Sequence, residues 1–458
     1  MELVSVKIRL MAKRNAVAYD CSSCGSTQST WSGKCPQCSE WNTLEERLNM
    51  SNASVKSQGR SIKIATVTEV AKKESFSRII SSDKQLDTVL GGGFVPGSVV
   101  LLAGQPGIGK STLLLQIAHD VSKKYSVLYV SGEESSHQVA SRASRLGKVS
   151  DKLKLASSTI TDDIAKTVAE GGYDLVVVDS IQTIACSDVV SAAGSVSQVT
   201  NSTQMLTEAA KGNNTALIIV GHVTKQGSIA GPKLLEHSVD AVLQLDGDRY
   251  GGFKVLRGVK NRFGSTNESA IYEMKDSGLL PVDNPSAALL EERQITDGSV
   301  VMATMEGSRP LLVEIQALVN TTAYGYPKRA ASGFDLNRLN LLIAMLERRT
   351  KLSLGDKDVY INVVGGISVN EPAADLAICM AIASASRGMQ LKKNAVVFGE
   401  LGLSGETRHV PHIDKRVAEA KKLGFEAAIG PKNSSVKSSF LTPVADVRSA
   451  LNTFLEKD

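Results

Sequence analysis

Residues 104–111, GQPGIGKS, fit the phosphate-loop pattern G-x-x-x-x-G-K-[ST] without a mismatch. The glycines let the backbone turn tightly enough for successive N–H groups to face an anion. Lys110 brings a positive charge to the outer phosphates, and the Ser111 hydroxyl suits Mg²⁺. The nucleotide cradle expected from the pattern comprises Gly104, Gln105, Pro106, Gly107, Ile108, Gly109, Lys110, Ser111 and Thr112. The flanks supply what such a loop needs. VVLLAG (99–104) is a short apolar, β-branched run that reads as a buried strand. TLLLQIAHDVSKK (112–124) has helical spacing, which places the phosphates at a helix N-terminus. The implied ligand is ATP or GTP.

Further chemistry belongs to the strands that follow. DLVVVDS (174–180) is an apolar run ending at Asp179, where a carboxylate would hold Mg²⁺ directly or through water. Glu133 and Glu134 follow the run SVLYVSG (126–132), at the carboxyl edge where ligands sit in open parallel sheets. Glu133 is the expected base for the attacking water, with Glu134 solvated or bridging. His222 ends ALIIVGH (216–222) and reads as a γ-phosphate sensor or a structural histidine. Lys260 and Arg262, within Lys260-Asn261-Arg262-Phe263-Gly264, are cations spaced i and i+2, which an extended segment projects to one side. Neither has an obvious place at the same subunit's phosphate loop. The pair reads either as a solvated face or as arginine-finger-like groups that complete a neighbour's site.

A different chemistry opens the chain. Cys21-x-x-Cys24, ten residues and Cys35-x-x-Cys38 form the pattern of a tetrahedral four-thiolate Zn²⁺ site. A disulfide framework is the competing reading, but nothing points to an oxidising compartment. So small a module buries little core, and the metal should supply most of its folding energy. Trp31 and Trp41, the chain's two tryptophans, flank the second pair and are expected to pack around the site. Cys186 and Cys379 read as isolated core or loop residues.

The elements that must position these groups are legible in outline. The chain's 458 residues leave room for two or three domains. The apolar runs are nearly continuous, as in strands buried on both faces of a parallel sheet, and the segments between them have helical character. The expected fold class is α/β, with a doubly wound, mostly parallel P-loop domain. The expected divisions are a tail at 1–18, a zinc finger at 19–41, a Ser/Asn-rich linker at 42–61, the ATPase domain at 62–283 and a second α/β unit at 284–458. Aromatics make up 4 %, too few for an extended base-stacking platform, and the net charge of +5 permits a polyanion partner without demonstrating one. No apolar run is long enough to span a bilayer. In MELVSVKIRLMAKR, Lys7 and Arg9 interrupt the apolar residues, so a secretion signal is not expected; Met11 is an alternative start. A soluble, cytoplasmic protein is expected.

The order of four-cysteine module, GQPGIGKS, LVVVDS and KNRFG closely resembles the bacterial RadA (Sms) family of recombination and repair ATPases, from about Tyr19 onward. The resemblance implies a RecA-like core in a hexameric ring. It implies ATP hydrolysis with Mg²⁺, structural Zn²⁺, binding of single-stranded and branched DNA, and branch migration of recombination intermediates. Lys260 and Arg262 would then act across the subunit interface, and a RecA-type recombinase is the expected protein partner. SAAGSVSQVTNST (191–203) looks like one mobile DNA-contacting loop, and 223–237 like a second, with Lys225 and Lys233 as phosphate contacts. The alternative is an ATP-gated adaptor for such a recombinase that is not itself a motor.

The C-terminal region, best matched from about Asp358, resembles the proteolytic domain of Lon, which uses a serine nucleophile activated by a lysine. Here Ala373 stands where the serine is expected and Asp414 where the lysine is expected. Lys415 is one residue out of register, about 100° away on a helix. Ser368 and Ser384 fall outside the motif. No peptidase activity is expected, and a scaffold or DNA-binding role is.

Overall fold

A computed structural model describes residues 18–47, 66, 77–222, 234–247, 252–323, 325–391, 394–432 and 438–457. Lys225 and Lys233 lie outside them. Among the described residues no helix is long and apolar enough to cross a membrane.

The first unit is a three-stranded antiparallel ribbon, β1 (Ala18–Cys21), β2 (Thr27–Gln28) and β3 (Leu44–Arg47), in the order β2-β1-β3. Its core consists of Cys21, Cys35 and Leu44, with Tyr19, Cys24 and Cys38 against them. The tryptophans do not join it, contrary to the sequence expectation: Trp31 is 59 % and Trp41 68 % exposed. A core built largely of cysteines has no room for an indole. Trp41 lies against Gly33, with the Lys34 ammonium 5.9 Å from its ring centre.

The central unit is a nine-stranded sheet. Its strands are β4 (Val99–Gly104), β5 (Val127–Ser131), β6 (Leu153–Ser157), β7 (Leu175–Asp179), β8 (Ala216–His222), β9 (Ala241–Gly247), β10 (Phe253–Asn261), β11 (Ser269–Lys275) and β12 (Gly278–Pro281). The order is β12-β11-β10-β9-β4-β8-β7-β5-β6. From β9 to β6 every pairing is parallel, and β10 to β12 add an antiparallel wing. Successive side chains of β4 face opposite sides, which explains the unbroken apolarity. Val100 and Leu102 join the cluster that holds residues of α1 (Lys84–Val89), α2 (Lys110–Val121) and α3 (Ser136–Ser144). Val99, Leu101 and Ala103 join the one that holds residues of α4 (Thr161–Ala169), α5 (Val196–Gly212) and α6 (Leu234–Ser238).

Helix α5 corrects one expectation. Residues 196–203 are its first turns rather than loop, because Ser195 caps the helix by accepting from Gln198 N. Val199, Leu206 and Ala210 recur at helical spacing and are buried, as are Gln198, Ser202 and Thr203.

The third unit is built on a seven-stranded mixed sheet. It comprises β13 (Ser299–Glu306), β14 (Arg309–Thr321), β15 (Arg329–Ser332), β16 (Lys357–Val363), β17 (Ala395–Val397), β18 (Ala427–Pro431) and β19 (Leu441–Val444), ordered β15-β16-β14-β13-β17-β18-β19. Helices α7 (Pro285–Leu290), α8 (Leu336–Thr350), α9 (Asp375–Arg387), α10 (Ile413–Lys422) and α11 (Val447–Phe454) accompany it, and α9 is buried along most of its length. Val255 of β10 and Ile271 of β11 belong to the same apolar cluster as this sheet, so the core is continuous across the two units.

Candidate ATPase site and metal centre

The phosphate loop leaves β4 and enters α2 as its sequence demands. Gly107 and Gly109 take φ of +78° and +111°, whereas Gly104 is a strand residue. Gln105 is half-buried, Pro106 exposed and Ile108 buried; Ser111 and Thr112 are half-buried in the first turn of α2. Lys110 is 4 % exposed. Its ammonium donates to the carbonyls of Gly104 at 2.8 Å and Gln105 at 3.0 Å and lies 3.2 Å from His222 Nδ1. Burial pulls Lys110 down to about 8, against the opposing pull of the Asp179 and Glu133 carboxylates.

Opposite the loop, the ends of β5, β7 and β8 bring the remaining candidates together. The Tyr129 hydroxyl donates to Asp179 Oδ2 at 2.7 Å, and burial pushes that phenol far above its usual range. The Ser180 hydroxyl donates to Glu133 Oε1 at 2.7 Å. His222 Nδ1 lies 3.2 Å from the Lys110 ammonium and its Nε2 lies 3.6 Å from Glu133 Oε1. His222 thus stands between cation and carboxylate. Glu133 retains 43 % side-chain exposure, while Glu134 is the bridging member, paired with Arg142 at 2.5 Å. The arrangement can hold a polyphosphate and a hard cation and present a carboxylate to water.

Lys260 and Arg262 are not part of this cluster. β10 runs antiparallel to β9, and Asn261 pairs with Ala241, which pairs with Val100 near the start of β4. The phosphate loop begins after Gly104, four residues and about 13 Å further along the strand, at the other end of the sheet. Lys260 Nζ donates to the carbonyls of Glu236 at 2.6 Å and Val239 at 2.8 Å. Arg262 pairs with Asp240 Oδ1 at 2.8 Å, and its guanidinium side stays 55 % exposed. Both cations therefore face 236–240, as their spacing predicts. Burial, then repulsion from Arg262, lowers the Lys260 pKa.

The other motif residues hold the backbone. Asn261 Nδ2 donates to the Val89 carbonyl at 3.2 Å, while its Oδ1 accepts from Phe263 N at 2.9 Å. Arg78 donates to the Phe263 carbonyl at 3.1 Å. Gly264 lies so close to Gly91 that a Cβ on Gly264 would stand 2.8 Å from the Gly91 Cα. Sequence reasoning missed Arg78, Gly91, Tyr129 and Asp240. Only Gly91 carried a visible signal, as the first of three consecutive glycines.

In the ribbon the ligating atoms of Cys21, Cys24, Cys35 and Cys38 all lie within 4.8 Å of one another. The Sγ pairs 21–38 and 24–35 are 3.6 and 3.7 Å apart. A tetrahedral Zn²⁺ with Zn–S of about 2.3 Å needs S···S edges of about 3.8 Å, so the residues fit the ion.

Comparisons with known proteins agree with each unit. Residues 19–46 match the rubredoxin metal binding domain, 66–228 an AAA domain and 338–434 subunit ChlI of Mg-chelatase. The chain is 49 % identical to DNA repair protein RadA of Halalkalibacterium halodurans over 92 % of its length and 93 % of the relative's. It is 46 % identical to that of Aquifex aeolicus over 96 % and 99 %. The crystal structure of the RadB recombinase covers 45 % of the chain at 22 % identity and a TM-score of 0.36, too loose a match to add to the sheet order. Fold and site define a RecA-like P-loop ATPase with a zinc ribbon before it and a second α/β domain after it. The chain belongs to the DNA repair protein RadA family.

Proposed function

We propose that this chain is a DNA-dependent ATPase that drives branch migration of recombination intermediates as a hexameric ring, with Lys260 and Arg262 of one subunit completing the phosphate site of the next. The observation that carries the reading is the position of KNRFG. It stands at the opposite end of the sheet from its own phosphate loop, yet Asn261, Phe263 and Gly264 fix its backbone and Arg262 keeps an exposed flank. Cations held in place but out of reach of their own site suit work in trans. Glu133 serves as the base, Ser111 and Asp179 hold Mg²⁺, and His222 relays the state of the γ-phosphate between Lys110 and Glu133. Zn²⁺ on the four cysteines supports the ribbon, and the C-terminal domain has no peptidase activity.

The test is ATP turnover with and without single-stranded DNA at two salt concentrations. Stimulation that fades as salt rises is expected, because phosphate contacts release counterions. Flat turnover would overturn the motor reading. It would favour an ATP-gated adaptor for a RecA-type recombinase, for which the exposed Trp31 and Trp41 on the ribbon are the supporting observation.

A further inference from the structure

The turn joining β13 to β14 leaves the C-terminal sheet and grips the ATPase unit on both sides of KNRFG. Upstream, Arg257 lies three residues before Lys260 on β10. The Glu306 carboxylate receives its guanidinium in two bonds, at 2.7 and 2.8 Å, and Asp246 takes the remaining arm at 2.8 Å. Between Arg257 and Lys260 the pairing with β9 slips by one residue at Gly258/Lys260. Such a bulge re-aims the side chains after it, so the aim of Lys260 depends on what fixes its flanks.

Downstream, the Ser308 amide donates to the Asn267 carbonyl, and the Ser308 hydroxyl donates to the Glu268 carboxylate at 3.0 Å. Ser269 Oγ returns a bond to the Glu306 carbonyl at 2.9 Å. The two-residue turn requires glycine at 307, where φ is +62° and a Cβ would collide with the Asn267 carbonyl. The grip is backed from behind. Lys415 Nζ donates to the Ser308 carbonyl at 3.0 Å. Its neighbour Arg416, fully buried, bonds the Ala303 carbonyl and pairs with Glu371, whose Oε1 accepts from Met305 N at 2.9 Å.

We infer that the Glu306–Arg309 turn is a positioning element for the trans-acting cations, and that the C-terminal domain serves the ATPase by fixing where KNRFG points. This rests on the trans reading of Lys260 and Arg262. In it Glu306, Gly307 and Ser308 touch no nucleotide; they act through β10 and through the segment leading into β11.

The experiment uses the full-length protein carrying Glu306→Gln or Ser308→Ala, the latter leaving the buried ion pair intact should the former misfold. Affinity for a fluorescent N-methylanthraniloyl ATP should stay within about twofold of the parent, because the phosphate loop is untouched. The DNA-stimulated kcat of Glu306→Gln should fall by about 10²-fold, the effect of misplacing a reacting group by about 1 Å. The smaller change, Ser308→Ala, should lower kcat in the same direction. Each variant is then mixed with Lys110→Ala protein, which lacks a working phosphate loop but carries a correctly held motif. Recovery of turnover, matching that of a Lys260→Ala and Lys110→Ala mixture, is expected. Parent-like turnover in both variants would overturn the proposal. So would a mixture that stays inactive while the Lys260→Ala mixture recovers. If the Lys260→Ala mixture also stays inactive, the trans reading falls and this inference falls with it.

Discussion

The ATPase site and the buried surroundings of Ala373 treat charge in opposite ways. At the phosphate loop Lys110 is almost fully buried, yet its hydrogen bonds among the described residues go to two carbonyls and a histidine, and Glu133 is held by a hydroxyl and open to solvent. Around Ala373 the charges are closed on one another. Arg416 pairs with Glu371 on one side, and Arg338 pairs with Asp375 on the other, with Leu401 N also on Asp375 at 3.1 Å. A buried cation satisfied only by dipoles can still be drawn to an incoming phosphate. A guanidinium locked to a carboxylate in two bonds has its charge already matched and is held in place by its partner. The cation at the phosphate loop is left for a ligand's charge, whereas each cation beside Ala373 already has a carboxylate.

The sharpest break of that contrast is Lys110→Ala. Removing the unmatched cation should lower ATP turnover by about 10³-fold or more, the scale on which a cation at the transferred phosphoryl group acts. A steady-state assay at unchanged oligomeric state checks it; turnover within about tenfold of the parent would place the chemistry elsewhere. Glu133→Gln probes the other half of the site. The amide keeps the size and the bond from Ser180 but cannot take a proton, so kcat should drop about 10²–10⁴-fold with nucleotide affinity preserved. Comparable losses in affinity and kcat would instead make Glu133 a binding residue.

The difference between the two regions also explains what the sequence could convey. The phosphate loop, Asp179 and the cysteine pairs are local patterns whose residue types carry their own chemistry, and their strands announce themselves by apolarity. Asp240, Arg257 and Glu306 gave no such signal. Their importance comes from partners 22 and 49 residues away, and an isolated Asp, Arg or Glu reads as surface. The tryptophans misled for a related reason: an aromatic near a knuckle suggests core, but the sulfurs had already filled that core. The serine-rich stretch 191–203, which runs into the first turns of α5, suggested loop because Ser195 is a cap, and a cap is recognised only together with the helix it starts.

Away from the phosphate loop, Arg416→Ala should act first on stability, and on turnover only through the Glu306–Arg309 turn that it backs. It removes the guanidinium from Glu371, which keeps its bond from Met305 N, and from the Ala303 carbonyl, a loss of about 1–3 kcal/mol for the hydrogen bonds left unmade. Denaturant unfolding should show the loss in the C-terminal unit while the isolated nucleotide-binding affinity changes little. A loss under about 1 kcal/mol would mean that water replaces the guanidinium, and the scaffold reading of this pair would weaken.

The smallest effect is expected where the sequence most invites repair. Ala373→Ser combined with Asp414→Lys restores both residue types that Lon uses, and it should produce no cleavage of casein with ATP present. The surroundings, and not only the two side chains, are unsuited to a serine–lysine pair. Position 373 is 2 % exposed, so a hydroxyl there has no route to a peptide. Position 414 is exposed in the first turn of α10, where a lysine would keep its ordinary pKa near 10.4 and stay protonated at neutral pH. A charged ammonium cannot take the serine proton, and a serine with no base is a weak nucleophile. Processive casein cleavage by the double variant, surviving repurification, would show that the closed ion pairs around Ala373 leave more room for chemistry than their geometry indicates.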